Sequence, residues 1–70
     1  MSAAETCRAN GWGPGTRLFG ASPYVNTVIE ITAVGERSVL AKVISENGRP
    51  LAGTRESLWN FSHRDWQVAE

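Results

Sequence analysis

Residues 25–34 read VNTVIEITAV, a run dominated by β-branched side chains. Side chains of successive strand residues point to opposite faces, and β-branched residues favour that conformation. The run therefore predicts a strand with the odd-numbered residues facing inward and the even-numbered residues facing outward. The inward residues are Val25, Thr27, Ile29, Ile31 and Ala33.

A second strand is expected after a tight connection. Residues 35–37 (GER) separate the first run from residues 38–45 (SVLAKVIS), and we expect the two runs to form an antiparallel hairpin. Neither side of the second run is cleanly polar, because Leu40 and Ile44 share a side with a lysine. With Val28 they form a candidate second apolar surface for another chain. Equally, a strongly coiled small barrel would bury part of both sides under its own loops.

Three shorter extended segments complete the predicted sheet: residues 16–19, 56–61 and 66–68. Residues 46–55 contain Asn47-Gly48, a pair that fits a type I′ turn, and we expect them to form a mobile hairpin tip. Residues 62–65 are suited to one helical turn. The sequence thus predicts an all-β fold of five short strands around one long hairpin.

The first fourteen residues are expected to lie outside the sheet. The spacing of Ser2 and Glu5 fits a capping box, which predicts about two helical turns over residues 3–9. An isolated helix of that length is not stable in water. We therefore expect residues 1–14 to be a loose tail that ends in a glycine-rich loop, followed by a folded domain over residues 15–70.

The composition predicts a domain that needs additional stabilisation. The chain has 70 residues, 41% of them hydrophobic, and a chain of about this length buries only about 60% of its unfolded surface. Cys7 and His63 are the only residues of their types, so an internal disulfide is excluded and neither a metal centre nor another cofactor is expected. Self-association into a homo-oligomer is the stabilisation that remains.

Charge and residue chemistry argue against several functions. Seven basic and seven acidic residues give a formal net charge of zero, whereas proteins that bind long nucleic acids usually carry a basic excess. Cys7 and His63 lie far apart in the sequence without an evident orienting group, so we do not expect an enzyme. No apolar run has the length of a signal peptide or a membrane span, which with the unpaired cysteine indicates the cytoplasm and no membrane contact.

Three segments carry a resemblance to a known family: GTRL at residues 15–18, ITAVG at 31–35 and WNFSHRDW at 59–66. With the long hairpin and the helical turn before the last strand, they resemble an SH3-like small barrel spanning residues 15–68. They are also similar to short accessory proteins of actinobacterial bacteriophages. The resemblance implies a five-stranded barrel that binds a host protein or a small signalling molecule stoichiometrically in the host cytoplasm.

The tryptophans and arginines suggest a ligand class. Six of the seven basic residues are arginine, whose guanidinium pairs with phosphate, and aromatic rings stack on nucleobases. The first hypothesis is therefore an anti-defence protein that sequesters a nucleotide immune signal at a homo-oligomer interface. Its candidate binding residues are Trp12, Arg55, Trp59, Arg64 and Trp66.

Structural roles compete with this hypothesis at the same residues. Trp59 and Phe61 share one side of their strand and, with Trp66, are large enough to form the core. Trp12 stands on a glycine-rich loop, where it is either a lid over the core or a ligand contact. The glycines of that loop expose backbone donors that could hold an anion, but such loops are more often connectors.

Two other binding functions remain open. One is an inhibitor or adaptor that occupies a host protein, which requires an exposed apolar patch. The other is an RNA-binding barrel, which requires a shared basic face and an affinity that falls steeply with salt. The residues expected on that face are Arg17, Arg37, Lys42 and Arg49.

Overall fold

The computed structural model describes residues 2–21, 25–61 and 66–69. They form one helix, α1 (Ala3–Asn10), and six strands. The strands are β1 (Arg17–Gly20), β2 (Thr27–Val34), β3 (Val39–Glu46), β4 (Arg49–Pro50), β5 (Ser57–Trp59) and β6 (Trp66–Val68). Within these residues, no helix is long and apolar enough to cross a membrane.

All the strands belong to one antiparallel sheet. The strand order is β4-β3-β2-β1-β6, and β5 pairs with the same edge of β3 as β4, at the opposite end of that strand. No pairing among the described residues joins β5 to β6, so the sheet is open. The predicted class is confirmed at this level, as a predominantly β domain with one short helix.

The predicted strands fall close to the observed ones. The largest difference is at residues 56–61, where only Ser57–Trp59 is a strand. Asn47 and Gly48 have φ angles of 50° and 79°, which fits the predicted type I′ turn. The turn is followed by the two-residue β4, which the sequence did not predict. Residues 62–65, expected to form a helical turn, lie outside the described residues.

The core lies on one side of the sheet, called the inner side here. Thr27 is 4% exposed and Ile29 and Ile31 are fully buried, which confirms the predicted inward face for these three residues. The buried apolar residues are Ala4, Cys7, Leu18, Ile29, Ile31, Val39, Ala41 and Phe61. They come from α1, β1, β2 and β3 and from the residues after β5, so the core draws on most of the chain.

A bulge in β2 overturns the prediction for Ala33. The register with β3 shifts between Ile31 and Ala33, which leaves Thr32 as an extra residue. Beyond it the sides exchange, so that Ala33 lies on the outer side and Val34 packs against the core. The Thr32 hydroxyl donates a hydrogen bond to the Leu40 carbonyl at 3.2 Å, which stabilises the bulge.

Helix α1 begins with the capping box that the sequence indicates. The Ser2 hydroxyl accepts a hydrogen bond from the Glu5 amide at 3.2 Å, and the Glu5 carboxylate accepts one from the Ser2 amide at 3.3 Å. These bonds lower the pKa of Glu5. The helix ends at Gly11, which has a left-handed backbone conformation with a φ of 73°.

The expected loose tail over residues 1–14 is wrong, because α1 docks on the core. Ala4 and Cys7 are 0% exposed. Arg8 donates hydrogen bonds to the carbonyls of Gly35 and Glu36 at 3.1 and 3.0 Å, in the turn between β2 and β3. Tertiary burial and these bonds supply the stability that an isolated short helix lacks.

The pairing of β1 with β6 depends on Gly20. Gly20 stands opposite Trp66, and a β-carbon added at Gly20 would lie 2.6 Å from the Trp66 ring. This distance is well below van der Waals contact. Gly20 is therefore the residue that allows the Trp66 ring to lie against the backbone of β1.

We predict that Gly20→Ala lowers the free energy of unfolding by about 1–3 kcal/mol, because the methyl group overpacks a rigid ring. Urea unfolding monitored by tryptophan fluorescence measures the change. Gly13→Ala is the matched control, since Gly13 has no atom within 4 Å of an added β-carbon. Equal stability of the Gly20→Ala and wild-type proteins would contradict the close packing of Trp66.

We also predict that the Cys7 thiol is protected in the native protein. Burial raises the pKa of Cys7 above its ordinary value, because the core disfavours the thiolate. Alkylation should therefore proceed only through local or global opening. The unfolded chain ionises at a lower pH than the folded one, so stability should fall as the pH rises through the folded pKa.

The measurements are the rate of reaction with a thiol reagent and urea unfolding across alkaline pH. The Cys7→Ala variant should lack the cysteine contribution to the alkaline loss of stability. A native thiol that reacts as fast as a free cysteine would show that α1 is not docked.

Candidate functional site

Four aromatic side chains meet at the margin of the core. The Trp59 and Trp66 ring centroids lie 5.7 Å apart, Trp66 lies 5.8 Å from Phe61, and Trp12 lies 6.1 Å from Phe61. Each contact is edge-to-face, a favourable geometry for aromatic pairs. Three of the five predicted binding residues therefore belong to one chain of ring contacts, in which Trp12 contacts Phe61, Phe61 contacts Trp66 and Trp66 contacts Trp59.

The environment of this cluster supports a packing role. Phe61 is 8% exposed, and the three tryptophans are half-buried against the core. The Trp59 indole N–H donates a hydrogen bond to the Ala41 carbonyl at 3.1 Å, which fastens β5 to β3. The rings therefore pack against the core, and Trp59 links β5 to β3. A role of the tryptophans in stacking on a ligand stays a prediction.

Trp12 is placed by the end of α1. The Trp12 amide donates to the Cys7 carbonyl at 2.8 Å, and the Gly11 amide donates to the Arg8 carbonyl at 3.3 Å. This pair of bonds is the Schellman motif, which turns the chain sharply at a left-handed glycine. The turn brings Trp12 back onto Phe61, so Trp12 acts as a lid over this end of the core.

The glycine-rich loop is a connector. The amide of Gly13 donates to the Thr16 hydroxyl at 3.1 Å, and that of Gly15 donates to the Ile31 carbonyl at 2.8 Å. The Gly11 amide is engaged in the helix cap. The three backbone donors that the sequence offered for an anion thus bond to the chain itself.

The nucleotide hypothesis also names two arginines, and the structure describes one of them. Arg55 is exposed in the segment that leads into β5. Arg64 lies outside the described residues. Sequestration of a nucleotide by these arginines and the tryptophans stays a prediction.

The outer side of the sheet carries a row of charged residues. Glu30 pairs across the strands with Arg17 in β1 and with Lys42 in β3. Its carboxylate lies 3.2 Å from the Arg17 Nε and 4.0 Å from the Lys42 Nζ. We call Arg17, Glu30 and Lys42 the charged row.

The charged row argues against the continuous basic face that RNA binding requires. Glu30 partly neutralises the two basic residues that share the outer side. Arg37 stands in the β2–β3 turn and Arg49 in the β3–β4 hairpin, at opposite ends of the long strands. An anionic residue therefore interrupts the basic face that the sequence proposed.

A row of apolar residues lies beside the charged row. Leu40 pairs with Ala33 in β2 and with Leu58 in β5, and its neighbours Val39 and Ala41 are buried. Leu40 and its partners therefore point away from the core, and Leu58 is 70% exposed. We call Ala33, Leu40 and Leu58 the apolar row.

The apolar row partly matches the predicted second apolar surface. Leu40 belongs to it and is half-buried. Val28 lies on the outer side beyond the charged row, opposite Phe19 and Ser45. Ile44 falls at the register shift of β3 and is half-buried. The three residues therefore do not form one continuous patch.

Leu58 was missed by the sequence analysis, although a signal for it exists. Residues on either side of an inward strand residue point outward. Because Trp59 faces the core, the preceding Leu58 has to face outward.

A family model described as a domain of unknown function, DUF7241, matches residues 1–70. The chain belongs to the DUF7241 family. No curated protein and no solved structure matches it. The family match therefore includes α1 together with the sheet of the DUF7241 domain.

The DUF7241 domain has a shallow open depression of about 410 Å³ at the β3–β4 hairpin. It is lined by Glu46 and Arg49, which carry opposite charges, and by Asn47 and Leu51. No group of three or more His, Cys, Asp or Glu side chains within residues 2–21, 25–61 and 66–69 is arranged to hold a metal ion.

The nucleotide hypothesis predicts measurable binding to the DUF7241 protein and a weaker affinity after Arg55→Ala. Loss of one charge-assisted contact should reduce the affinity about ten-fold. Isothermal titration against a panel of cyclic and linear nucleotides measures it, with Arg37→Ala as an exposed control. Absence of heat with every nucleotide would exclude the hypothesis.

Proposed function

We propose that this protein is a non-catalytic protein-binding domain whose working surface is the outer side of its sheet. The proposed architecture is an SH3-like barrel. Two features support it: β1 lies between β2 and β6, and the chain returns to the far edge of β3 as β5 before it forms β6. These pairings agree with the five-strand arrangement that the sequence resembles.

The observation that carries the proposal is the apolar row. Leu58 is 70% exposed and stands beside Leu40 on the solvent side of the sheet. A single exposed leucine is ordinary, but adjacent apolar residues across three strands form a patch whose coverage by another surface is favourable. Each Å² of apolar surface removed from water contributes about 25 cal/mol.

The charged row favours binding of one specific protein over nonspecific association. Its ion pairs are exposed and add little stability to the isolated domain. Beside an apolar patch, however, two cations and one anion fix the orientation of a partner, because a like charge placed against them costs energy. A matching surface therefore carries an acidic group opposite Arg17 or Lys42.

A protein partner fits this side better than a small molecule does. Small-molecule sites are concave and enclose most of their ligand, whereas the apolar row is spread over the side of a sheet. The hairpin depression is open and lined by opposite charges. The resemblance to bacteriophage accessory proteins supports occupation of a host protein, and the buried unpaired thiol of Cys7 supports a reducing compartment such as the cytoplasm.

The test uses the immobilised full-length protein and a lysate of its natural host cell. We expect one protein to be captured, identified by mass spectrometry, and to bind again when purified. Leu58→Glu should weaken the binding of that purified protein about ten-fold or more, because it places a charge in the apolar row.

Leu51→Glu is the matched control, since Leu51 is an exposed leucine in the loop after β4, away from the apolar row. Binding that survives Leu58→Glu, or that Leu51→Glu weakens equally, would contradict the proposed working surface. Capture of no protein at all would count against the function itself.

A further inference from the structure

We propose that Asn47 is a site of spontaneous deamidation in the folded protein, whereas Asn10 is protected by the fold. Each asparagine precedes a glycine, in the pairs Asn47-Gly48 and Asn10-Gly11. Asparagine is chemically labile, and a following glycine leaves the reacting backbone nitrogen unhindered because it has no β-carbon. Both pairs have the same local chemistry, so a difference in rate between them has to come from the fold.

The reaction joins the Gly48 nitrogen to the Asn47 side chain. The nitrogen gives up its proton and adds to Cγ, and the Cγ–Nδ2 bond then breaks, so that Nδ2 leaves as ammonia. The product is a cyclic succinimide. Water hydrolyses this ring at either of its two carbonyls, which yields aspartate or isoaspartate. The net reaction consumes one water and releases one ammonia, with no change in oxidation state.

At the hairpin tip, the Gly48 amide is available for this attack. Asn47 and Gly48 are exposed and form the turn between β3 and β4. In the part of the chain that the structure describes, the Gly48 amide donates to no acceptor. The Asn26 amide donates to Asn47 Oδ1 at 2.9 Å. Negative charge develops on this oxygen as the nitrogen adds to Cγ, so the Asn26 amide is placed to stabilise it.

Ring closure also requires a rotation about the Cα–C bond of Asn47, and the turn has room for it. The rotation carries the Gly48 nitrogen toward Cγ but leaves the Asn47 amide in place, where it donates to the Asn26 carbonyl at 2.7 Å. Gly48 has no atom within 4 Å of an added β-carbon, so its backbone can absorb the change. Strand β4 has only two residues, and little pairing is lost if the tip opens.

Asn10 lacks this freedom, although it too is exposed. It is the last residue of α1, and its Nδ2, which would be the leaving group, donates to the Thr6 carbonyl at 2.8 Å. The Gly11 amide, which would be the nucleophile, donates to the Arg8 carbonyl at 3.3 Å in the helix cap. Rotation about the Asn10 Cα–C bond would break this cap and displace Trp12. Deamidation of Asn10 therefore requires the end of the helix to open.

Conversion of Asn47 to isoaspartate would alter the hairpin. The main chain then runs through Cγ and gains one carbon atom, in a turn where Glu46 pairs directly with Arg49. The oxygen that accepts from the Asn26 amide becomes a backbone oxygen. The isoaspartate form should therefore lose the pairing of β4. Aspartate at the same position keeps the acceptor oxygen and the length of the backbone, so it should retain that pairing.

The experiment incubates the folded full-length protein at mildly alkaline pH, digests it after arginine and lysine, and follows deamidation by mass spectrometry. Asn10 and Asn47 fall in different peptides, residues 9–17 and 43–55, since cleavage does not occur before Pro50. We expect Asn47 to react at least about ten-fold faster than Asn10, the factor that corresponds to a helix-end opening of about 1.4 kcal/mol. In urea, where both pairs are unfolded, the two rates should be equal.

Two variants test the mechanism. Gly48→Ala should slow the reaction at Asn47, because the added β-carbon hinders the nitrogen, and should leave the rate at Asn10 unchanged. Asn47→Asp should abolish the mass change in the peptide of residues 43–55. Its Arg49 amide should keep the NMR shift of the wild-type protein, whereas the isoaspartate form should not.

Equal rates at Asn10 and Asn47 in the folded protein, or an Asn47 that reacts in urea but not in the folded protein, would overturn the inference. A folded Gly48→Ala variant that reacts as fast as the wild type would contradict attack by the Gly48 nitrogen. The comparison of the two asparagines uses the wild-type chain, so it holds even if a variant fails to fold. The apolar row takes no part in the reaction, and these outcomes are independent of the proposed function.

Discussion

The pairing of β2 with β3 is the constraint on which the rest of the molecule depends. β1 attaches to β2, while β4 and β5 attach to the far edge of β3. The inner side of the pair supplies four of the buried apolar residues, Ile29, Ile31, Val39 and Ala41. Because alternate residues face opposite sides, a slip of one residue in this register would expose the core and bury the charged row.

The sequence predicts most of this fold where local rules act alone. The alternation of residues 25–34 locates β2 and its inward face as far as Ile31, because a period of two is a property of the strand backbone. It fails at Ala33, since the bulge at Thr32 depends on the partner strand and on a hydrogen bond to Leu40. The capping box likewise predicts where α1 begins, but its docking depends on core contacts that no local pattern contains.

The candidate site was likewise predicted only in part from the sequence. The tryptophan and arginine content predicted a site of aromatic rings and guanidinium groups, and the structure joins Trp12, Trp59 and Trp66 in one aromatic cluster through Phe61 and through each other. Large aromatic rings also bury much apolar area in a small core, so composition alone does not distinguish a packing role from a binding role for the tryptophans. The apolar row was harder to foresee, because it joins single residues from three strands and exists only once their register is set.

The hydrogen bonds from Arg8 to the β2–β3 turn connect segments that leave the ribosome at different times. Arg8 precedes Gly35 by 27 residues, so the anchor of α1 does not yet exist when the helix is synthesised. An eight-residue helix is not stable by itself, and Cys7 therefore stays open to solvent until the hairpin forms. The thiol of the only cysteine in the chain is therefore accessible to chemical modification in the nascent chain and buried in the folded domain. Its reactivity reports whether α1 has docked.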